Sequence, residues 1–324
     1  MSSSALSGLS APAGLSVHAS LSSLKLDFLE YLELERNVSQ NTIENYNHYL
    51  IRFIDFAGEI NPSEINLELI KKYRLHLARW TDPDTKQALK RNTQNYFMIA
   101  LRSFLKYLSR IDVASLPPEK VELGEVEDSP LKVLESYDLE LLLAAPNPST
   151  PEGLRDKAIL ETLFSTGLRV SELASLNRDT INFERREFPI VGKGGKQRIV
   201  FLSDSACDTI AQSLDVRKDS YNPLFIRFQG RQDSSDDGEN MRLTTRSIER
   251  IVEKYVRQAG LSIKATPHTL RHSFATDLLI NGADIRSVQE MLGHSNIATT
   301  QIYTHITNRQ LREVHKAFHS KSKG

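Results

Sequence analysis

From residue 21 to residue 110 apolar side chains recur every three or four residues, the period of an amphipathic helix. In LSSLKLDFLEYLELERN the stripe runs through Leu21, Leu24, Phe28, Leu29 and Leu32; in TIENYNHYLIRFIDFAG it runs through Ile43, Tyr46, Leu50, Phe53 and Ile54, and Gly58 closes it. A third helix is predicted from Leu67 to Trp80, ending before the turn signal Asp82-Pro83-Asp84, and a fourth from about Lys90 to Arg110 on Tyr96, Ile99, Phe104 and Leu108. These helices make a small helical domain over residues 21–111. Pro117, Pro118, Gly124 and Pro130, set among charges, then mark an exposed connector over 112–129. A second domain follows over 130–309. It opens with helical patterns (Asp138 to Ala144, Gly153 to Thr166), passes through two β-rich runs flanking Gly192-Lys193-Gly194-Gly195, a hairpin signal, and is helical again from Thr244.

Composition narrows this picture without naming a function. The 324 residues carry 41 Lys+Arg against 41 Asp+Glu, so a phosphate-binding surface has to come from local asymmetry rather than overall charge. One cysteine, Cys207, excludes a disulfide framework and a cysteine-ligated zinc site and fits a reducing cytoplasm. No apolar run approaches the roughly 18 to 20 residues needed to span a bilayer, so no membrane association is expected. Residues 1–20 contain no Lys or Arg and no sustained apolar block, which predicts a disordered tail rather than a secretory signal.

The candidate chemistry lies in five short islands of the second domain: STGLRVSEL around Arg169, VGKGGKQR around Lys193, TPHTLRHSFAT with His268 and Arg271, LGHSN with His294, and TTQIYTHI with Tyr303. In that order and at those separations the chain resembles the tyrosine recombinase (phage integrase) family, and GLRVSEL, HTLRHSFAT and LGH followed nine residues later by Tyr are most similar to its bacterial Xer-type members. The resemblance covers the whole second domain and, more loosely, residues 21–110. It implies a mainly α fold with a small antiparallel β-sheet, in which a helical SAM-like core-binding domain precedes a mixed α/β catalytic domain, the two clamping a DNA duplex from opposite sides. Against the family pattern, the loop from Gly230 to Asn240 is longer and more acidic than a minimal member needs, and the Ser-rich tail is extra.

Elementary chemistry supports the same site. A phosphodiester under in-line attack gains negative charge on its non-bridging oxygens, and fixed cations aimed there are worth several kcal/mol in a partly desolvated site. Arginine suits that task because its planar fork is always charged and binds phosphate bidentately; by resemblance the two are Arg169 and Arg271. The bland alternative for Arg169 is a salt bridge to Glu172, three residues away on the same helical face. Pro267 is a good helix start, so His268 and Arg271 fall on one face of a first turn, where phosphate is favoured. By resemblance His268 is a general acid/base for the tyrosine hydroxyl, His294 hydrogen-bonds the scissile phosphate, and Lys193, on a Gly-flanked hairpin tip, protonates the departing 5′ oxygen. His272 and His305 keep the ordinary reading of structural histidines. A zinc reading of His268 and His272 is poor, because no general-base Glu stands between them, and Asp233, Asp236 and Asp237 read as a solvated acidic run.

Tyr303 is the candidate nucleophile, with Tyr255 the next to examine. A tyrosine of ordinary pKa near 10 needs proton removal and neighbouring positive charge as it attacks. The resulting 3′-phosphotyrosyl link conserves the energy of the broken diester, so neither ATP nor a metal nor any other cofactor is implied. Thr42, Tyr46 and Arg91, at predicted helix starts, and Lys196 and Arg198, on the hairpin, are candidate DNA contacts; short polar residues at helix starts are equally what N-caps look like. The implied activity is site-specific recombination of double-stranded DNA, with four protomers, of one chain or of a paralogous pair, exchanging strands between two sites through a Holliday junction. The leading role is Xer-type resolution of chromosome dimers, with a septal DNA translocase as a candidate activator. A mobile-element integrase is the main rival, a relaxing topoisomerase uses similar chemistry, and a catalytically silent DNA-binding regulator is the alternative from another class. Leu311, Val314 and Phe318 predict a short C-terminal helix over 310–324 that needs a partner surface; the resemblance implies docking into a neighbouring protomer, with packing on its own domain or a DNA-touching tail through Lys316, Lys321 and Lys323 as the alternatives.

Overall fold

A computed structural model describes residues 20–83, 85–125, 131–192, 195, 197–229 and 237–293. The chain divides into two compact units, Met1–Asp128 and Ser129–Gly324. Among the described residues there are eleven α-helices and one two-stranded antiparallel sheet, the mainly helical class with a small sheet expected from the sequence. No described helix is long and apolar enough to cross a membrane.

The first unit holds α1 (Leu21–Leu34), α2 (Gln40–Ala57), α3 (Leu67–Arg79) and α4 (Arg91–Arg110). Ser20 caps α1 by accepting from the Ser23 N–H at 3.1 Å, and Asn66 caps α3 by accepting from the Leu69 N–H at 3.0 Å. The α1 stripe buries Leu21, Leu24, Phe28 and Leu32 as its spacing predicts. In α4 the buried face differs. Phe97, Leu101, Phe104, Leu105 and Leu108 point inward, whereas Tyr96 and Ile99 are exposed. The helix carries apolar residues on more than one face, and the continuous set at 97, 101, 104, 105 and 108 wins because it forms an unbroken row at three- and four-residue spacing. At the centre the Phe28 and Phe104 rings lie 5.6 Å apart, and Phe53 meets Tyr73 edge-on at 5.1 Å.

The segment read as an exposed connector is built into this unit as far as Glu125. Leu116, Pro118 and Val121 are buried, Pro118–Lys120 forms a single 3-10 turn, and Asn95 exchanges two hydrogen bonds with the backbone of Gly124, at 2.7 and 2.9 Å. Proline and charge mark this stretch as non-helical, but spaced apolar residues are enough to dock it.

The second unit is organised around α6 (Pro151–Thr166), which buries residues on every side. Thr150 caps it with Pro151 in the first turn. Around it pack α5 (Ser136–Ala144), the short α7 (Val170–Ala174), α8 (Asp204–Asp215), α9 (Thr245–Gln258) and α10 (Pro267–Ile280), with α11 (Ile285–Leu292) against α10. The helix α8 is not foreseen from the sequence, because its buried face, Ala206, Cys207, Thr209, Ile210 and Ser213, is made largely of small and polar residues rather than a row of large apolar ones. The hairpin pairs β1 (Glu187–Val191) with β2 (Gln197–Phe201), Val191 opposite Gln197 and Glu187 opposite Phe201. Phe188, Ile190 and Val200 enter the core, leaving Val191, Ile199 and Phe201 exposed.

The aromatic centre of the first unit sets its stability. Phe104→Ala removes a fully buried ring that packs against Phe28 of α1 and should lower the unfolding free energy by about 3–5 kcal/mol; denaturant titration followed by tryptophan fluorescence of Trp80 measures this directly.

Candidate active site

Arg169 sits immediately after a glycine turn. Gly167 ends α6 in the left-handed region at φ 59°, where a side chain is strained, and a Cβ there would overlap the Phe274 ring. The turn delivers Arg169 to the start of α7, where Glu172 accepts from the Arg169 backbone N–H at 2.9 Å and from Nη1 at 2.9 Å. The salt bridge that sequence reasoning treats as the bland alternative is therefore present, and it coexists with a guanidinium whose side chain is 31% exposed.

Arg271 approaches the same turn from α10. Thr266 caps that helix by accepting from the Thr269 N–H at 3.2 Å, and Pro267 occupies its first turn. Arg271 is buried; its Nη1 donates to the Gly167 carbonyl and its Nη2 to the Leu292 carbonyl at 2.7 Å. His268, three residues earlier, is exposed and lines a cleft of about 620 Å³ together with Val170, Lys264 and Pro267. His272 is partly buried, and burial followed by the charges of His268 and Arg271 pushes its pKa below the ordinary histidine value, which favours the neutral ring.

The residue that ties these together is Arg198, on β2. Its Nη1 and Nη2 fork onto the two Glu172 oxygens at 3.1 and 2.8 Å, and its Nε donates to the Met291 carbonyl at 3.2 Å. Arg169 Nη2 reaches the Gly293 carbonyl at 3.4 Å. Three guanidiniums thus hold three successive carbonyls, those of Met291, Leu292 and Gly293, at the C-terminal end of α11. A helix C-terminus presents unpaired carbonyls and partial negative charge, so cations are favoured there. Burial pushes the Glu172 carboxyl up, but the Arg198 hydrogen bonds, the Arg169 N–H and the charges of both arginines outweigh it and hold the pKa below the ordinary value.

Sequence reasoning assigned Arg198 to DNA and left Gly293 without a role. The partners are visible locally, a Glu three residues after Arg169 and a glycine before His294, but their link to Arg198 is not. Gly293 lies at φ 64°, and a Cβ on it would stand 2.9 Å from Arg198 Nη1. Lys193, Lys196, His294 and Tyr303 lie outside the described residues, as do residues 1–19 and 310–324. Tyr255 is not a ready nucleophile. Its buried hydroxyl donates to Asp156 at 3.0 Å and accepts from Lys254 at 3.1 Å, and burial first of all raises its pKa. In the first unit, Thr42 and Tyr46 lie one turn apart on α2, with the Thr42 hydroxyl 2.9 Å from that of Ser39 and the Tyr46 ring packed against Phe28. Exposed Arg91 opens α4 and lines a cleft of about 430 Å³ with Lys71 and Arg74.

Comparison with known proteins is specific. The profile described as "Phage integrase family" matches residues 132–310, and that described as "Phage integrase, N-terminal SAM-like domain" matches residues 26–111. The chain is 36% identical over 306 residues to tyrosine recombinase XerD of Listeria monocytogenes, covering 91% of this chain and 98% of the relative. It is 34% identical over 317 residues to tyrosine recombinase XerC of Pelotomaculum thermopropionicum, covering 92% and 98%. Among solved structures it is similar in fold to the Tn1549 transposon integrase in complex with transposon right end DNA (TM-score 0.69, 19% identity, 91% of this chain and 99% of that one). It is also similar in fold to the XerH site-specific recombinase bound to a palindromic difH substrate (TM-score 0.67, 22% identity, 90% and 83%).

The ionised Glu172 makes stability depend on pH. Its folded-state pKa lies below the ordinary 4.5, so its contribution is complete above the unfolded-chain value and is lost as pH falls from there through the depressed folded value. The difference in unfolding free energy between the natural chain and Glu172→Gln should be constant near neutral pH and shrink as pH falls below about 4.5. Denaturation midpoints across pH 3 to 7 on both proteins, about one unit apart, trace it.

Proposed function

The chain belongs to the phage integrase family and is a site-specific tyrosine recombinase, and from that premise we propose that it resolves chromosome dimers by the Xer-type reaction in the cytoplasm. The observation that carries the proposed chemistry is the gathering of Arg169 and Arg271 at one helix end, where Arg169 also shares an ionised carboxylate, Glu172, with Arg198. Three guanidiniums against one carboxylate leave net positive charge where a phosphate would complete the site.

In this reading Tyr303 attacks the phosphorus as its hydroxyl proton passes to His268. The new tyrosyl oxygen–phosphorus bond forms as the phosphorus–O5′ bond breaks, and Lys193 gives the departing oxygen a proton. Arg169 and Arg271 meet the charge growing on the non-bridging oxygens, and His294 hydrogen-bonds one of them. Attack of a 5′ hydroxyl from the second site reverses these transfers and joins the exchanged strand. Thr42, Tyr46, Arg91 and Lys196 contribute duplex contacts. Four protomers on two double-stranded sites, of this chain or of a paralogous pair, form the synapse, with residues 310–324 docking between neighbours and a septal DNA translocase as activator.

The Xer role is favoured by identity of about one third along nearly the whole chain with both XerD and XerC proteins. The likeness to a transposon integrase supports the rival, mobile-element role at the level of fold. Capturing DNA covalently trapped on the protein in host cells separates them: a site near the replication terminus supports dimer resolution, and the junctions of an inserted element support integration.

Tyr303→Phe should bind its site with unchanged affinity and form no covalent adduct on a nicked suicide substrate. Adduct formation by that variant, read by denaturing gel, would place the nucleophile elsewhere.

A further inference from the structure

Arg198 has the composition-level credentials of a phosphate contact: a cation five residues past Lys193 on an exposed hairpin. Its surroundings give it a different task. The side chain is 12% exposed, and each of its three nitrogens already has an acceptor, two on Glu172 and one on the Met291 carbonyl. Three of its five N–H donors are thus committed to the carboxylate and the helix end, and the bidentate pair with Glu172 fixes the plane of the guanidinium.

Both of its acceptors lead to the reacting groups. Glu172 is the carboxylate that holds Arg169, through the backbone N–H and through Nη1. Met291 begins the trio of carbonyls that also receives Arg271 and Arg169, and the residue after that trio is His294. Gly293 leaves the space the guanidinium occupies, since a Cβ there would sit 2.9 Å from Nη1. Arg198 also fastens β2 to the end of α11.

We propose that Arg198 is a positioning residue that acts through Glu172 and residues 291–293, setting the guanidinium of Arg169 and the start of the segment bearing His294, and that it makes no phosphate contact. The proposal rests on the recombinase reading above. A planar fork is required, because a lysine ammonium cannot span both Glu172 oxygens and the Met291 carbonyl.

The test uses the full-length chain and its recombination site, with Arg198→Ala and Arg198→Lys. Both should bind DNA with the natural half-saturating concentration and the natural salt slope. At saturating DNA their single-turnover cleavage should fall by roughly 100-fold, the loss that misplacement by about 1 Å produces. Loss of a phosphate contact would instead lower the salt slope by about 0.9. That lower slope, or a natural cleavage rate in both variants, would overturn the proposal. If Arg198→Ala fails to fold, Arg198→Lys decides, since it keeps the charge and the buried stem. Failure of the recombinase reading itself is distinguishable, because the natural chain would then form no phosphotyrosyl adduct on the same substrate.

Discussion

The site depends on one electrostatic arrangement: three guanidiniums drawn to the carbonyl end of α11, two of them, Arg169 and Arg198, sharing a single ionised carboxylate, Glu172. Like charges at this spacing repel, and a buried carboxylate alone would be protonated. Each removes the other's difficulty. The carboxylate is held ionised by Arg198 and Arg169 against the pull of burial, and the arginines gain an acceptor network that fixes their directions before any substrate arrives. Preorganisation of this kind is what makes charge effective in catalysis, because no reorientation is needed as the transition state forms.

Two backbone turns make the arrangement reachable. Gly167 and Gly293 both adopt left-handed geometry at helix ends, and each is closely approached by a side chain of the site's own structure, Phe274 at the first and Arg198 at the second. The turn at 167 delivers Arg169 to the start of α7, and the Gly167 carbonyl is an acceptor for Arg271. The turn at 293 leaves its carbonyl toward Arg169 and directs the chain onward to His294. Caps at Thr150, Thr266 and Asp284 fix where the three helices begin, so the relative placement of Arg169, Arg271 and the carbonyl trio follows from local rules repeated at successive helix ends.

Much of this was legible in the sequence. Helical period located α1 to α4, the Gly-rich turn located the hairpin, and Pro267 located the start of α10. What escaped has physical causes. Tyr96 and Ile99 are apolar but lie off the row that α4 buries, a phase error inherent in a helix with more than one apolar face. The face that α8 buries is mostly small and polar, with Ile210 its one large aliphatic side chain. Arg169 posed a choice between salt bridge and catalytic cation that spacing cannot make, and the structure shows that one side chain does the first while remaining partly open for the second. The contacts of Arg198 were hidden for a deeper reason. A cation on a strand alternates between solvent and core, but its acceptors, Glu172 and Met291, lie 26 and 93 positions away in the chain, and no local pattern encodes contacts of that range.

The most direct measurement is a crystal structure of the protein on its recombination site with vanadate bridging the Tyr303 oxygen and the 5′ end of a gapped strand, a mimic of the in-line transition state. Arg169 and Arg271 should reach the equatorial oxygens while Arg198 keeps both Glu172 oxygens and the Met291 carbonyl. Arg198 bound to the vanadate with Glu172 left to Arg169 alone, or an α11 end released from all three arginines, would contradict the account.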